Sequence, residues 1–143
     1  MKAEEQALAE RCVTAMFERD RASQAAGMRI ESVAPGYARV SMPLDPAMIN
    51  GHETAHGGAV FTLADSAFAF ACNSRNVPSV AHHCSITYVT PAREGELLVA
   101  EARETDLTGR FGIYDVTVAA QDGRVVALFR GHSAAVRGSV VEA

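Results

Sequence analysis

The sequence lacks the features that mark secreted and membrane proteins. Its longest largely apolar stretch, Ala59 to Cys72, is too short to cross a bilayer and carries Asp65. No basic segment followed by an apolar one opens the chain, so no secretion signal is expected. There are only three cysteines, an odd count that does not fit a disulfide framework. These absences predict a cytoplasmic protein without disulfides.

An excess of positive charge is also missing. The formal net charge is −4 at pH 7, which argues against the basic surface that binds nucleic acid or an anionic membrane. Tryptophan is absent, but 48% of the 143 residues are hydrophobic and 21% are charged. This balance is sufficient for a buried core, and we predict one domain that spans residues 1–143.

Hydrophobic periodicity predicts the order of the secondary structure. Apolar residues at helical spacing indicate an N-terminal helix over about 4–26, which Gly27 ends. Alternating spacing after it indicates a hairpin of two strands over about 28–44, and a central helix is expected over about 57–75. Four further strands are predicted at Val80 to Val89, Glu96 to Thr105, Phe111 to Ala120 and Arg124 to Arg137, with hairpin turns at 108–109 and 121–123.

The central helix determines the predicted fold class. It is apolar on nearly every side and has no lysine or arginine from Ala59 to Cys72, so other elements must enclose it. One antiparallel sheet that curves around this single long helix meets the requirement. We therefore predict an α+β fold with an additional N-terminal helix.

Two features of the central helix indicate chemistry. Asp65 lies in its middle, where an unpaired carboxylate costs several kcal/mol, by order of magnitude. Gly57 and Gly58 start the helix and leave backbone N–H groups uncovered at the positive end of the helix dipole, where a ligand oxygen can approach. The alternatives are that Asp65 is a structural residue satisfied by hydroxyls or by His82 or His83, and that the glycines serve only close packing.

Several motifs together resemble the hotdog-fold acyl-CoA thioesterases, and most closely the phenylacetate-degradation type. They are Asn50, His56-Gly57-Gly58, Leu63-Ala64-Asp65, Ala71-Cys72-Asn73-Ser74, Tyr88-Val89-Thr90-Pro91, Tyr114-Asp115-Val116 and Ala127-Leu128-Phe129-Arg130-Gly131. The resemblance implies a hotdog fold and hydrolysis of acyl-CoA thioesters, with phenylacetyl-CoA and its hydroxylated relatives as the leading substrates. It also implies that no cofactor is needed, because CoA is part of the substrate, and that the protein is a tetramer built as a dimer of dimers.

The reaction assigns roles to the matching residues. Thioester hydrolysis needs a group that attacks or activates water, and donors for the oxyanion that forms on the carbonyl oxygen. By resemblance, Asp65 has the first role and the N–H of Gly58 or of Gly57 the second. Asn50 positions water or the thioester through its amide, or is only a turn former. His56 fixes the entrance of the helix or contacts the thioester.

The spacing of these residues implies a site shared by two subunits. Gly57 and Asp65 are eight residues apart, which is about 12 Å along a helix. A donor and a base that act on one carbonyl must both lie within about 3 Å of the reacting atoms. Two antiparallel helices across a two-fold axis satisfy this condition and produce two equivalent sites per dimer.

Coenzyme A carries phosphates, which a protein of net negative charge must bind through local arginines or backbone donors. The candidates are Arg75, Arg93, Arg110 and Arg130, of which Arg110 and Arg130 best match the places where the family meets the nucleotide. The walls of the acyl pocket are expected among Met48, Ile49, Phe61, Phe68 and Tyr88.

Two other motifs are interpreted as unrelated to the reaction. The segment His52 to His56 fits the zinc-protease pattern H-E-x-x-H, but glycines on both sides disfavour a helix through it, and no metal is expected. In His82-His83-Cys84, neighbouring strand residues point to opposite faces, so the three cannot serve one site. Cys84 is expected in a core or an interface, and His82 near the site.

Two further functions stay open. A hotdog hydratase or dehydratase would use His56 as the base that removes a proton beside the carbonyl. A non-catalytic acyl-CoA sensor would bind the same ligand without needing Asp65.

Overall fold

A six-stranded antiparallel sheet surrounds one helix in the computed structural model, which describes residues 1–142. The elements are α1 (Lys2–Arg19), α2 (Arg21–Ala25), β1 (Arg29–Ala34), β2 (Tyr37–Pro43), a 3-10 turn (Pro46–Met48), α3 (Gly57–Cys72), β3 (Ser79–Tyr88), β4 (Leu97–Thr108), β5 (Phe111–Ala120) and β6 (Val125–Ala135). The strand order is β1-β2-β4-β5-β6-β3, and every pairing is antiparallel. The α+β class, the number of strands and the central helix are as the sequence predicts.

The sheet curves around α3, which contacts every strand from β2 to β6. The inward side of the helix alternates small and large residues, and Leu63, Ala67 and Phe70 are fully buried. The small residues let the strands approach closely. Gly131 of β6 serves the same purpose, because a Cβ atom there would lie 2.7 Å from the ring of Phe68.

The predicted hairpin turns are also present. Gly109 and Gly123 occupy the turns between β4 and β5 and between β5 and β6, and both have positive φ angles, of 63° and 89°. Glycine reaches such angles without the steric cost that other residues meet, so it favours these turns. No helix within residues 1–142 combines the length and the apolar character needed to span a membrane.

The N-terminal helical segment differs from the prediction of one helix over 4–26. The backbone of Asp20 leaves the helical region, with φ −91° and ψ 86°, and divides the segment into α1 and α2. The Asp20 carboxylate accepts a hydrogen bond from the backbone N–H of Ser23 at 3.0 Å, which caps the start of α2. Asp is among the best N-cap residues, so a local cap interrupts a pattern that is otherwise continuous.

The central helix ends at Cys72 rather than near residue 75. Asn73 ends it because its side-chain amide donates to Ala69 O at 2.9 Å and to Ser79 O at 3.1 Å. The chain after Gly138 is held against the end of this helix. The Asn76 Oδ1 atom accepts hydrogen bonds from the backbone N–H groups of Val140 and Val141, each at 2.8 Å.

Candidate active site

One side of α3 is left uncovered by the rest of the chain. Gly58 and Thr62 are exposed, and Asp65 and Ala69 are partly exposed. Their spacing of three to four residues places them in one stripe along the helix. The sequence predicts that the helix is enclosed on all sides, and a single chain does not achieve this.

Asp65 lies on this uncovered stripe and has no partner within residues 1–142. No hydrogen bond or ion pair reaches its carboxylate. Burial raises the pKa of the Asp65 carboxyl, and the negative charge of Asp20 raises it further. The alternative that hydroxyls or histidines satisfy Asp65 structurally is therefore not supported. An unpaired, half-buried carboxylate with raised basicity is suited to accept a proton.

The start of α3 presents one free backbone donor. His56 is the N-cap residue, and its Nδ1 atom accepts the N–H of Gly58 at 2.9 Å. Because Nδ1 accepts this hydrogen bond, it carries no proton, and the ring proton lies on Nε2. The N–H of Gly57 makes no hydrogen bond within the described residues. Gly57 therefore supplies the free backbone donor at this helix start, whereas the N–H of Gly58 is occupied.

Tyr88 holds the same helix start from the other side. Its hydroxyl donates to Gly57 O at 2.8 Å. A Cβ atom at Gly57 would lie 3.0 Å from that hydroxyl oxygen, so the position favours glycine. The sequence predicts Tyr88 only as a pocket wall, since a contact over 31 residues leaves no local pattern.

Asn50 both shapes the loop and faces a cleft. Its Oδ1 atom accepts from the backbone N–H of His52 at 2.9 Å and from the N–H and the hydroxyl of Thr54 at 3.2 Å. Its Nδ2 group makes only one long contact of 3.4 Å, to Ala55 O. The turn-forming interpretation is thus correct for the oxygen, and the amide N–H groups are left for a ligand.

The cleft that Asn50 faces has a volume of about 340 Å³. Its lining residues include Asn50, Gly57, Val60, Tyr88, Pro91 and Val126. Asp65 does not line it. One chain therefore brings Asn50, His56 and Gly57 together and leaves Asp65 two helical turns away, which agrees with the separation that the spacing predicts.

The four candidate arginines differ in their surroundings. Arg130 pairs with Asp115 through two hydrogen bonds of 2.7 and 2.9 Å, and Arg75 pairs with Glu104 at 3.1 and 3.2 Å. The hairpin turn at 121–123 places Asp115 directly opposite Arg130, so this pair could have been found from the sequence.

Arg110 and Arg93 form no ion pair with an acidic group of residues 1–142. Arg110 donates to Ala135 O at 3.3 and 3.4 Å, and its guanidinium lies 5.1 Å from the ring centroid of Phe111. The Arg93 side chain has no ion pair or hydrogen bond among residues 1–142. These two arginines are better placed to meet a phosphate than Arg75 and Arg130.

The predicted pocket walls are only partly correct. Phe68 is 1% exposed and packs in the core against Tyr114 and Phe129, with ring centroids 5.7 and 5.9 Å away. The prediction that Phe68 lines the acyl pocket is therefore wrong. It fails because Phe68 points towards the sheet, whereas Tyr88 lines the cleft. Met48, Ile49 and Phe61 are partly buried.

The two motifs set aside in the sequence have other roles. His52 and Glu53 lie in a turn, and Glu53 has a φ of 62°, so His52 to His56 forms no helix. In β3, the rings of His82 and His83 both lie near that of His132, with centroids 6.2 and 5.3 Å away. The expectation that these neighbours point to opposite faces fails here because the strand has a bulge between Ala81 and His83. Burial raises the pKa of the Cys84 thiol, which disfavours a nucleophilic thiolate.

Known proteins resemble this chain over most of its length. The sequence model of the Thioesterase superfamily matches residues 52–127. The acyl-coenzyme A thioesterase PaaI of Escherichia coli strain K12 is 40% identical over 126 residues, which are 88% of this chain and 90% of the relative. The solved structure of E. coli PaaI, from the phenylacetic acid degradation operon, has a TM-score of 0.92 at 39% identity and covers 94% of this chain and 97% of that chain.

A thermophilic protein provides a second structural match. The TT0310 protein of Thermus thermophilus has a TM-score of 0.79 at 40% identity, and the match covers 82% of this chain and 99% of that chain. These similarities and the architecture confirm the resemblance found in the motifs. The chain belongs to the Thioesterase superfamily, has the hotdog fold, and is a thioester hydrolase.

Proposed function

We propose that the protein hydrolyses acyl-CoA thioesters, and aryl-acyl esters such as phenylacetyl-CoA in particular. The observation that carries the proposal is the Asp65 carboxylate, which is half-buried, unpaired and aligned with the uncovered side of the helix that starts at Gly57. The similarity to PaaI from the phenylacetic acid degradation operon supports the aryl substrate class. A cytoplasmic role in aromatic-acid catabolism would follow from it.

The complete site combines two subunits. The helix α3 contacts β3, an edge strand that pairs only with β6 among residues 1–142 and is exposed along most of its length. An edge strand with free N–H and C=O groups is suited to pair with a second copy. Two α3 helices, antiparallel across a two-fold axis, would place Asp65 of one subunit beside the partner's Gly57 and Asn50. Two such dimers would form the tetramer.

In the proposed reaction, Asp65 takes a proton from water while the water oxygen bonds to the thioester carbon. The carbonyl electrons move to oxygen, which the partner's Gly57 N–H stabilises, and the partner's Asn50 amide orients the water or the thioester. Collapse of the tetrahedral intermediate breaks the C–S bond, and the CoA sulfur receives the proton from Asp65. The chemistry needs only water and substrate, so no cofactor is proposed.

Direct attack by Asp65 is the alternative to base catalysis. It would form an acyl-aspartyl anhydride, and attack of water on the aspartyl carbon would introduce one water oxygen into the protein. A single turnover in ¹⁸O-labelled water tests this route by mass spectrometry of the peptide that contains Asp65. Label in Asp65 would refute the base mechanism and leave the thioesterase assignment intact.

The CoA phosphates are proposed to meet Arg110 and Arg93. Both side chains are exposed and neither pairs with an acidic group within residues 1–142, in contrast to Arg75 and Arg130. Arg110→Ala should raise KM for acyl-CoA esters more than it changes kcat, because the contact is the same in the ground and transition states. Arg103→Ala, which removes an exposed arginine of β4, is the matched control.

Release of free thiol from a panel of acyl-CoA esters is the decisive experiment. Phenylacetyl-CoA should exceed acetyl-CoA and palmitoyl-CoA in kcat/KM. Preference for the long chain would refute the aryl assignment. Tight binding without turnover would instead indicate a sensor. The hydratase alternative needs His56 as a base, and is disfavoured because its Nδ1 atom already accepts the N–H of Gly58.

A further inference from the structure

A short chain of hydrogen bonds connects the N-terminal helical segment to the centre of α3. The Ser23 hydroxyl donates to Asp20 Oδ2 at 2.6 Å, and the Ser23 Oγ atom lies 2.8 Å from Ser66 Oγ. Ser23 is 1% exposed and Ser66 is 9% exposed. The chain thus runs through the interior and reaches the residue that follows Asp65.

The direction of these hydrogen bonds is determined by the carboxylate. Ionised Asp20 can only accept, so the single proton of the Ser23 hydroxyl is committed to it. The Ser66 hydroxyl must then donate its own proton to Ser23. Its proton is therefore committed to Ser23 and is not available to Asp65, which receives no hydrogen bond from any residue among 1–142.

We propose that Asp20 is a positioning residue for the thioesterase reaction. It holds a negative charge at the α1–α2 corner, two hydrogen bonds from the residue that follows Asp65, and it makes the Ser66 hydroxyl donate to Ser23 rather than to Asp65. The inference rests on the proposed role of Asp65 as the base. It assigns a function to the break between α1 and α2, because the Asp20 side chain also caps α2 and is fixed in place by the Ser23 N–H at 3.0 Å.

The electrostatic consequence is a more basic Asp65. Burial raises the pKa of the Asp65 carboxyl, and the charge of Asp20 adds to this effect. The other titratable groups that sense Asp65 are the thiols of Cys72 in α3 and Cys84 in β3. Burial raises the pKa of Cys72 to about 12 and raises that of Cys84. Both thiols are therefore uncharged where a carboxyl titrates, and Asp20 is the charged neighbour.

The test compares Asp20→Asn with Glu18→Gln in the pH dependence of kcat/KM for phenylacetyl-CoA, or for the ester of the panel that turns over fastest. Asparagine is an equally good N-cap residue, so Asp20→Asn removes the charge and keeps the cap. Glu18 is exposed and its carboxylate has no partner within residues 1–142. Glu18→Gln therefore removes the same charge two residues away without touching the hydrogen-bond chain.

We expect Asp20→Asn to move the acid limb of the profile to lower pH by roughly half a pH unit. The plateau value of kcat/KM should fall by about twofold, because a weaker base accepts a proton less readily. Glu18→Gln should leave the limb in place. Asp20→Glu, which keeps the charge and disturbs the cap, should lower Tm while its acid limb stays near that of the unmodified protein.

The outcomes separate this inference from the proposed function. Coincident acid limbs for Asp20→Asn and Glu18→Gln would overturn the role of Asp20, even if the esters are hydrolysed and Asp65→Asn is inactive. Failure of the unmodified protein to hydrolyse any ester of the panel, or full activity of Asp65→Asn, would overturn the proposed function itself. If Asp20→Asn does not fold, Asp20→Ser supplies a neutral N-cap residue for the same measurement.

Discussion

Mixing two inactive variants should restore activity if the site is shared between subunits. Asp65→Ala removes the base and Asn50→Ala removes the amide that faces the cleft, so neither homodimer has an intact site. In a mixed dimer both defects fall into one site, and the other site receives Asp65 from one subunit and Asn50 from its partner. One of the two sites is then complete.

The expected magnitude follows from this arrangement. Equal amounts of the two variants that exchange freely produce mixed dimers in about half of the population, and each has one intact site of two. The mixture should therefore recover about a quarter of the specific activity of the unmodified protein. The argument depends on Gly57 and Asp65 lying on one continuous helix, Gly57–Cys72, where about 12 Å separates them.

The assay is free-thiol release after co-incubation, with subunit exchange followed independently by native mass spectrometry of one isotopically labelled variant. Asp65→Ala mixed with Gly57→Pro at matched concentration should give the same recovery if that variant folds. Mixing Asp65→Ala with Asp65→Asn is the negative control, because every site then lacks the base. Complete exchange without recovery would refute the shared site.

The other expected outcomes rest on the same contacts. Asp65→Asn should lower kcat by about 10²-fold or more with KM little changed, since the proposed base acts in the transition state. The control Glu94→Gln, at an exposed position, should leave kcat and KM unchanged in the same thiol assay. Burial raises the pKa of the Asp65 carboxyl, so folding disfavours its ionised form. Asp65→Asn should therefore also raise Tm at pH 7, and a lower Tm would contradict this sign. Activity of the unmodified protein should be present above that pKa and disappear as the pH falls through it, which a pH profile of kcat/KM measures. Tyr88→Phe should lower kcat several-fold with little change in Tm, because it removes a 2.8 Å hydrogen bond to Gly57 O at an exposed position. An unchanged kcat would show that Tyr88 does not position the N–H of Gly57. Gly131→Ala should lower the free energy of unfolding in urea by about 1–3 kcal/mol, because its Cβ would lie 2.7 Å from the Phe68 ring. Gly51→Ala should leave it nearly unchanged, because no atom lies within 4 Å of a Cβ placed there.

The sheet and the central helix could be predicted because their patterns are local. Alternation in the strands and the glycines at the turns depend only on neighbouring residues, and they agree with the structure at Gly109 and Gly123. The break at Asp20 has a local signal as well, an N-cap residue with serine three positions later, but continuous apolar spacing outweighed it. At Asp20, the N-cap interaction prevails over the continuous helical periodicity of the apolar residues.

The surroundings of the site residues could not be predicted in the same way. Thr62 and Asp65 are exposed or partly exposed, whereas Leu63 and Ala64 beside them are fully buried, and composition alone does not distinguish the two sides of an apolar helix. Which side the sheet leaves open depends on where the sheet ends, at its edge strands β1 and β3. Likewise, the side-chain rotamer of His56 determines which N–H at the start of α3 is free. Its Nδ1 atom accepts the N–H of Gly58, which leaves the N–H of Gly57 without a partner among residues 1–142.

The proposed dimer explains why the Asp65 carboxylate and the free N–H of Gly57 lie on one helix although, within one chain, they cannot serve one carbonyl. In a single chain, burial and Asp20 raise the pKa of Asp65, and nothing within residues 1–142 compensates the negative charge. In the proposed dimer, the positive end of the partner's α3 helix approaches this charge. The same contact would then supply the oxyanion donor and stabilise the ionised base. A helix with the proposed donor at its start and the carboxylate two turns later would meet both needs through a single two-fold axis. Association would then complete the geometry and the electrostatics of the site together.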